Sequence, residues 1–203
     1  MKRLTTYLGA LFFGMSFSAV NAGDLDTLIE DCNGCHGDDG VSQWTDVPTI
    51  AGLPEFQHAD ALYIYQDEAR PCRDAEYKQG DTSRAAVSMC GVAAKLSEDE
   101  IDAIAAAYAE LPYVKAKQEF DAGLAAAGKV LHDEHCDKCH SDEGTNPEDE
   151  AGMLGGQLMG YLKQSFVDYQ AGTRDQPKKM QEKIDMLSDE DVTALVHYYG
   201  SVQ

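Results

Sequence analysis

Four of the six cysteines fall in two copies of one short pattern. Cys32-Asn-Gly-Cys35 is followed by His36, and Cys136-Asp-Lys-Cys139 by His140. Two thiols three residues apart sit on one helical turn and reach the two vinyl groups of a porphyrin. The adjoining imidazole then points at its iron. The pattern predicts two covalently attached c-type haems, with Cys32, Cys35, Cys136 and Cys139 as thioethers and His36 and His140 as iron ligands. Two other chemistries use the same spacing. Four thiolates make a tetrahedral zinc site, but here the pairs stand 104 residues apart. A redox dithiol belongs in a βαβ setting, and β-like alternation is weak along the whole chain.

A histidine-bound haem iron has a second axial position, and methionine there raises the reduction potential. Between residues 23 and 112 there is one methionine, Met89, seven residues before Leu96. An offset of 91 carries it onto Met180, seven residues before Leu187. A methionine near a helix is ordinarily core filler, but this shared spacing singles out Met89 and Met180 as ligands over Met153, Met159 and Met186. His58, His132, His135 and His197 are further nitrogen donors, read here as surface or packing residues. Two six-coordinate irons leave no open position for a substrate, which suits a carrier rather than a catalyst.

The same offset exposes the elements that hold these residues. Leu96, Ser97, Ile101, Ile104 and Tyr108 align with Leu187, Ser188, Val192, Leu195 and Tyr199. Each set reads as an amphipathic helix opened by a capping-box pair, Ser97 with Glu100 and Ser188 with Asp191. The cysteine motifs repeat at 104 instead, as do Ala51-Gly52 and Gly155-Gly156. Each half therefore runs motif, glycine turn, helix, capped last helix, and the first half carries 13 extra residues after its turn. The division falls near Leu111-Pro112, where proline stops a helix. The expected plan is all-α, with a signal peptide at 1–22 and domains at 23–112 and 113–203. Domains this small lean on a staple or cofactor for stability.

Cys72 and Cys90 remain. Cys72 lies in the extra segment, and Cys90 follows Met89 directly. A disulfide between them closes a loop worth about 3 kcal/mol in chain entropy, pinning the insertion beside Met89. The other possibility is two free thiols.

The chain opens with Lys2 and Arg3, an apolar run from Leu8 to Val20 and a small-residue end at Ala22. This reads as a cleavable export signal, too short for the roughly 20 residues of a spanning helix, and it predicts a periplasmic protein with no later transmembrane segment. Formal charge is −20, and cleavage removes two bases and no acid. So acidic a chain is excluded from nucleic acid binding and is steered towards basic patches on protein partners.

These motifs resemble those of the di-haem class I cytochromes c, the group that includes cytochrome c4 and the haem subunit of flavocytochrome c sulfide dehydrogenase. The stretch from Gly128 to His140, with Gly156-Gln157, Tyr161-Leu162 and Lys178-Lys-Met180, is similar to the flavocytochrome subunit. His36-Gly37 and Ile50-Ala-Gly52 look as much like cytochrome c4. The resemblance implies two tandem class I cytochrome c domains, each wrapped around one haem, with His36/Met89 and His140/Met180 ligation. It implies an electron carrier between redox proteins or, alternatively, the cytochrome subunit that drains an FAD-containing sulfide dehydrogenase. It also implies a proline carbonyl accepting the proximal imidazole proton, a part that Pro48 fits. Position 152, its counterpart, is glycine, so the second acceptor has no name in the sequence.

Overall fold

The computed structural model describes residue 20 and residues 22–203. The expected signal peptide therefore falls almost wholly outside the described residues. The first half holds α1 (Ala22–His36), a 3-10 turn (Asp38–Gly40) and α2 (Glu55–Gln66). After them come a two-residue hairpin, β1 (Asp74–Ala75) with β2 (Val87–Ser88), then α3 (Met89–Ala93) and α4 (Glu98–Ala109). The second half holds α5 (Ala122–His135), the single turn α6 (Ser141–Gly144), α7 (Met159–Gln170), α8 (Lys178–Ile184) and α9 (Asp189–Ser201). The all-α expectation holds, apart from the small hairpin in the inserted segment. No helix among the described residues is long and apolar enough to cross a membrane.

The last helix of each half starts where the sequence says. Ser97 and Glu100 form a reciprocal capping box on α4, and Ser188 and Asp191 form one on α9. Each pair satisfies two backbone N–H groups that have no partner within the helix. The inward faces match as well. Ile101, Ile104 and Tyr108 are buried in α4, as are Val192, Leu195 and Tyr199 in α9. In the second half these residues join Leu162, Phe166 and Ile184 in one core, against which Cys136 and Met180 both pack.

α5 and α9 approach so closely that a Cβ on Gly128 would lie 2.1 Å from the carbonyl oxygen of Ala194. The connector between the halves is equally tight. Gly52, at φ +68°, leaves room for its backbone, where a Cβ would stand 2.1 Å from the Tyr113 nitrogen. The Tyr113 hydroxyl donates to the Gly155 carbonyl at 2.8 Å, and the Ala116 amide to that of Gly156 at 2.8 Å. The segment leaving the first half thus lies against both glycine turns.

The seam between the halves is polar, buried at Gln157 and Thr49 and open to solvent at Thr45 and Arg73. Gln157 bonds the backbone of Thr49. Thr45 accepts from the amides of Gly160 (3.1 Å) and Tyr161 (2.7 Å), so a first-half residue caps the start of α7. Gln57 accepts from the Met153 amide at 3.0 Å. Arg73 grips Asp168 with two bonds of 2.7 Å, the planar fork that matches a carboxylate.

Candidate haem-binding site

Each motif closes a helix. Cys32 to His36 form the last turn of α1, while Cys136 caps α5 and the chain turns through Cys139 to His140. Past each histidine the backbone enters a left-handed turn, with Asp39 and Gly40 at φ 52° and 74° in the first half. Asp142, Glu143 and Gly144 lie at 51°, 62° and 74° in the second. Both turns feed the same ladder. Ile50 and Ala51 donate to the Gly40 carbonyl, and Leu154 and Gly155 donate to that of Gly144.

This ladder presents one carbonyl to each imidazole. His36 Nδ1 donates to the Pro48 carbonyl at 2.9 Å. His140 Nδ1 donates to the Gly152 carbonyl, also at 2.9 Å. The acceptor without a name in the sequence is therefore Gly152, twelve residues past its histidine as Pro48 is past His36. Proline is dispensable there because the accepting atom belongs to the backbone. Burial lowers the pKa of both imidazoles, with the carbonyl bonds opposing it. Both are neutral at pH 7, with Nδ1 holding the proton and the Nε2 lone pair free for a metal. A fixed tautomer with a carbonyl behind it is what an iron-ligating histidine needs.

Burial also pushes up the Cys32 thiol, to about 11, with Asp31 adding to the effect. It raises Cys35 and Cys136 too. The two thiol pairs stay in separate halves. No cluster of three or more His, Cys, Asp or Glu suited to a metal ion occurs among the described residues. The donor set fits one porphyrin per half: a thiol pair on a helical turn and an oriented neutral imidazole.

A tyrosine from each last helix steadies the motif, a link that sequence reading missed. The Tyr108 hydroxyl donates to Asn33 Oδ1 at 2.8 Å, inside the first motif, and Asn33 also accepts from the Gly40 amide. The Tyr199 hydroxyl lies 3.0 Å from His132 Nδ1, one turn before Cys136. The shared offset of Tyr108 and Tyr199 was the available signal.

The methionines lie on matching elements. Met89 opens α3, whose start is capped by the Ser88 hydroxyl. Met180 lies on α8 and packs with Cys136 on the second core. The Cys72–Cys90 disulfide joins the inserted segment to α3, one residue past Met89. That segment folds back over the first motif. The Lys78 and Gln79 amides donate to the Gly34 carbonyl, and the Tyr77 ring lies where a Gly34 Cβ would project. Arg84 lies over Tyr77 at 3.8 Å and pairs with Asp31. Among the described residues no such strap covers the second motif, where Cys139 is exposed.

The other histidines take packing roles. His58 is buried against Tyr108. His132 is buried against Tyr198 and Tyr199, and His135 lies beside Glu134. His197 Nδ1 accepts from the Asp121 amide at 3.0 Å, at the start of α5. Met153 is core, Met159 packs on the core and Met186 is exposed.

No family model matches the chain. It is 28% identical over 200 residues to cytochrome c4 of Pseudomonas aeruginosa, covering 91% of this chain and 90% of that one. It is 28% identical over 182 residues to a thiosulfate dehydrogenase electron acceptor of Stutzerimonas stutzeri, covering 84% of this chain and 78% of that one. Among solved structures, reduced recombinant cytochrome c4 from Pseudomonas stutzeri superposes with a TM-score of 0.71. It is 25% identical and covers 91% of this chain and 100% of its own.

Proposed function

We infer that the chain, a di-haem class I cytochrome c, is an electron carrier that passes single electrons between redox proteins. The observation that supports this most is the doubled proximal arrangement: two neutral imidazoles, each beside a thiol pair and each held through Nδ1 by a carbonyl twelve residues on. In this reading residues 23–112 and 113–203 are separate haem domains. Cys32 and Cys35 hold the first haem and Cys136 and Cys139 the second, with His36/Met89 and His140/Met180 as axial ligands. The bound haem supplies a one-electron ferric/ferrous couple. The chain's own residues orient the imidazoles, and Met89 and Met180 would supply the second donor to each iron. After export through a cleaved 1–22 leader the carrier works in the periplasm, where its Cys72–Cys90 bond persists. Its overall charge suits partners with basic docking patches.

The test is direct. The chain, expressed with cytochrome c maturation in a bacterial periplasm, is expected to carry two covalent haems and take up two electrons in a reductive titration. One haem or none per chain overturns the reading.

A second reading makes the chain the acceptor subunit of a dehydrogenase. The likeness to a thiosulfate dehydrogenase electron acceptor favours it, ahead of the FAD-dependent sulfide dehydrogenase that the motifs around Cys136 also resemble. Rapid reduction of the holoprotein by thiosulfate only when a thiosulfate dehydrogenase is added supports this reading. Co-purification with an FAD protein supports the sulfide one.

A further inference from the structure

The two halves link last helix to motif differently. In the first, the Tyr108 hydroxyl donates straight to Asn33, a neutral amide inside the motif. An offset of 104 carries Asn33 onto Asp137 and Leu28 onto His132. The second half thus has two titratable groups where the first has none, and they line up. His132 Nδ1 lies 3.0 Å from the Tyr199 hydroxyl, which also acts on the Cys136 sulfur. His132 Nε2 stands 3.5 Å from Asp137 Oδ1 and makes no hydrogen bond. The histidine is 1% exposed and the Asp137 side chain 58%. A row of groups therefore runs from buried Tyr199, beside the motif, out to water.

The other charges facing His132 are accounted for. Lys129 and Asp133 lie on its own helix and pair with each other. The His140 imidazole feels it across the motif. From α9 the Tyr198 and Tyr199 rings pack on it, and burial pushes both phenols up, so both are neutral. Glu143 acts on Tyr198 and Lys129. Burial lowers the His132 pKa, and Asp137, then Asp133, oppose it. The ring is neutral at pH 7, yet a carboxylate faces its open nitrogen.

We propose that His132, with Asp137 as its outlet to water and Tyr199 as its inner contact, takes up a proton when the second haem site takes up an electron. This rests on the two-haem carrier reading and adds proton coupling to one of its two centres. One electron comes from the donor protein and one proton from water at Asp137; both leave on reoxidation. In the imidazolium state Nδ1–H donates to the Tyr199 oxygen and Nε2–H faces Asp137. An added electron favours a nearby cation, most strongly where water is excluded. Leu28 and Asn33 bind no proton in this range, so the first half lacks the device.

The test uses the holoprotein with both haems, ¹⁵N-labelled at histidine. His132 is expected to titrate at higher pH in the reduced protein than in the oxidised one. The couple that Met180→His displaces is expected to fall as pH rises from about 5 to about 7.5, a span around the free imidazole value of about 6.5. The fall is at least threefold in the one-electron equilibrium, about 28 mV at 59 mV per tenfold. His132→Leu, which places the first half's residue there, should abolish this fall and leave the other couple's pH profile unchanged. Asp137→Asn, at an exposed position, should move the fall to lower pH. Equal titration of His132 in both oxidation states overturns the proposal. So does a parental pH profile in His132→Leu, or in Asp137→Asn should the leucine variant fail to fold. Uptake of two electrons by the variant in a reductive titration keeps that failure distinct from a failure of the two-haem reading.

Discussion

Gln157 reads the backbone of Thr49 from both ends of one amide: its Oε1 accepts from the Thr49 nitrogen and its Nε2 donates to the Thr49 oxygen, each at 2.9 Å. One side chain thereby imitates a rung of β-ladder between the two halves. Both residues are buried, and Oε1 also accepts from the Leu158 amide. Truncation to alanine strands the donor and the acceptor of Thr49 away from water, at about 1–3 kcal/mol for each unsatisfied group. Gln157→Ala is expected to cost about 3 kcal/mol in denaturant unfolding of the holoprotein. A loss under about 1 kcal/mol would mean that the seam contributes little.

The α5–α9 crossing yields a sharper prediction. A methyl group at residue 128 meets the Ala194 carbonyl, a backbone atom that cannot rotate aside. Gly128→Ala forces the helices apart and is expected to destabilise by about 2–3 kcal/mol, in the range of overpacked cores, although alanine is the better helix former. Thermal unfolding of the variant decides it, since a rise in stability would contradict the close approach.

Exchanging a proposed axial sulfur for nitrogen tests the ligand assignment. Met180→His is expected to lower one of the two reduction potentials by more than about 60 mV, a tenfold change in a one-electron equilibrium, and to leave the other near its place. Met89→His should do the reverse. Spectroelectrochemistry showing both couples unmoved in both variants would dismiss the two methionines.

Opening the Cys72–Cys90 bond in the double serine variant is expected to cost about 3 kcal/mol. It should also speed proteolysis in the strap, between residues 73 and 88, while the second half keeps its resistance. Cleavage at the parental rate would show that the strap is held by its contacts with Gly34 and Asp31 alone.

Tyr161 supplies a pH dependence. Burial drives its phenol upward, but Arg70 and then Arg174, with hydrogen bonds from Arg70 and Ser165, bring it down to about 7. A phenol held below its free value of about 10 stabilises the fold fully above that pH, and the contribution is lost as pH falls through about 7. The holoprotein's stability relative to Tyr161→Phe should therefore grow between pH 7 and 10. Parallel curves for the two proteins would refute it.

Much of this was legible in the residues. The capping boxes, the buried triplets of α4 and α9 and the doubled glycine turns follow from chemistry that side-chain identity carries. The acceptor for His140 does not, because a backbone carbonyl leaves no mark in the sequence and Gly152 shares only its distance from the histidine with Pro48. The seam was equally silent. Gln157 and Thr49 meet across 108 positions, and a contact between halves imposes no periodicity on either. The strap showed as an excess of residues with a spare cysteine pair, but its return over Gly34 depends on tertiary packing that composition does not encode.

The connector has a consequence for rate. Because residues 113–116 are clasped by the turns at Gly52 and Gly155-Gly156, the linkage behaves as a rigid strut rather than a tether. With a haem held in each half as proposed, their spacing would be fixed by main-chain geometry, and transfer between them would not wait for diffusive re-approach of the halves. Lengthening the strut would add a conformational gate where the native chain has a fixed gap.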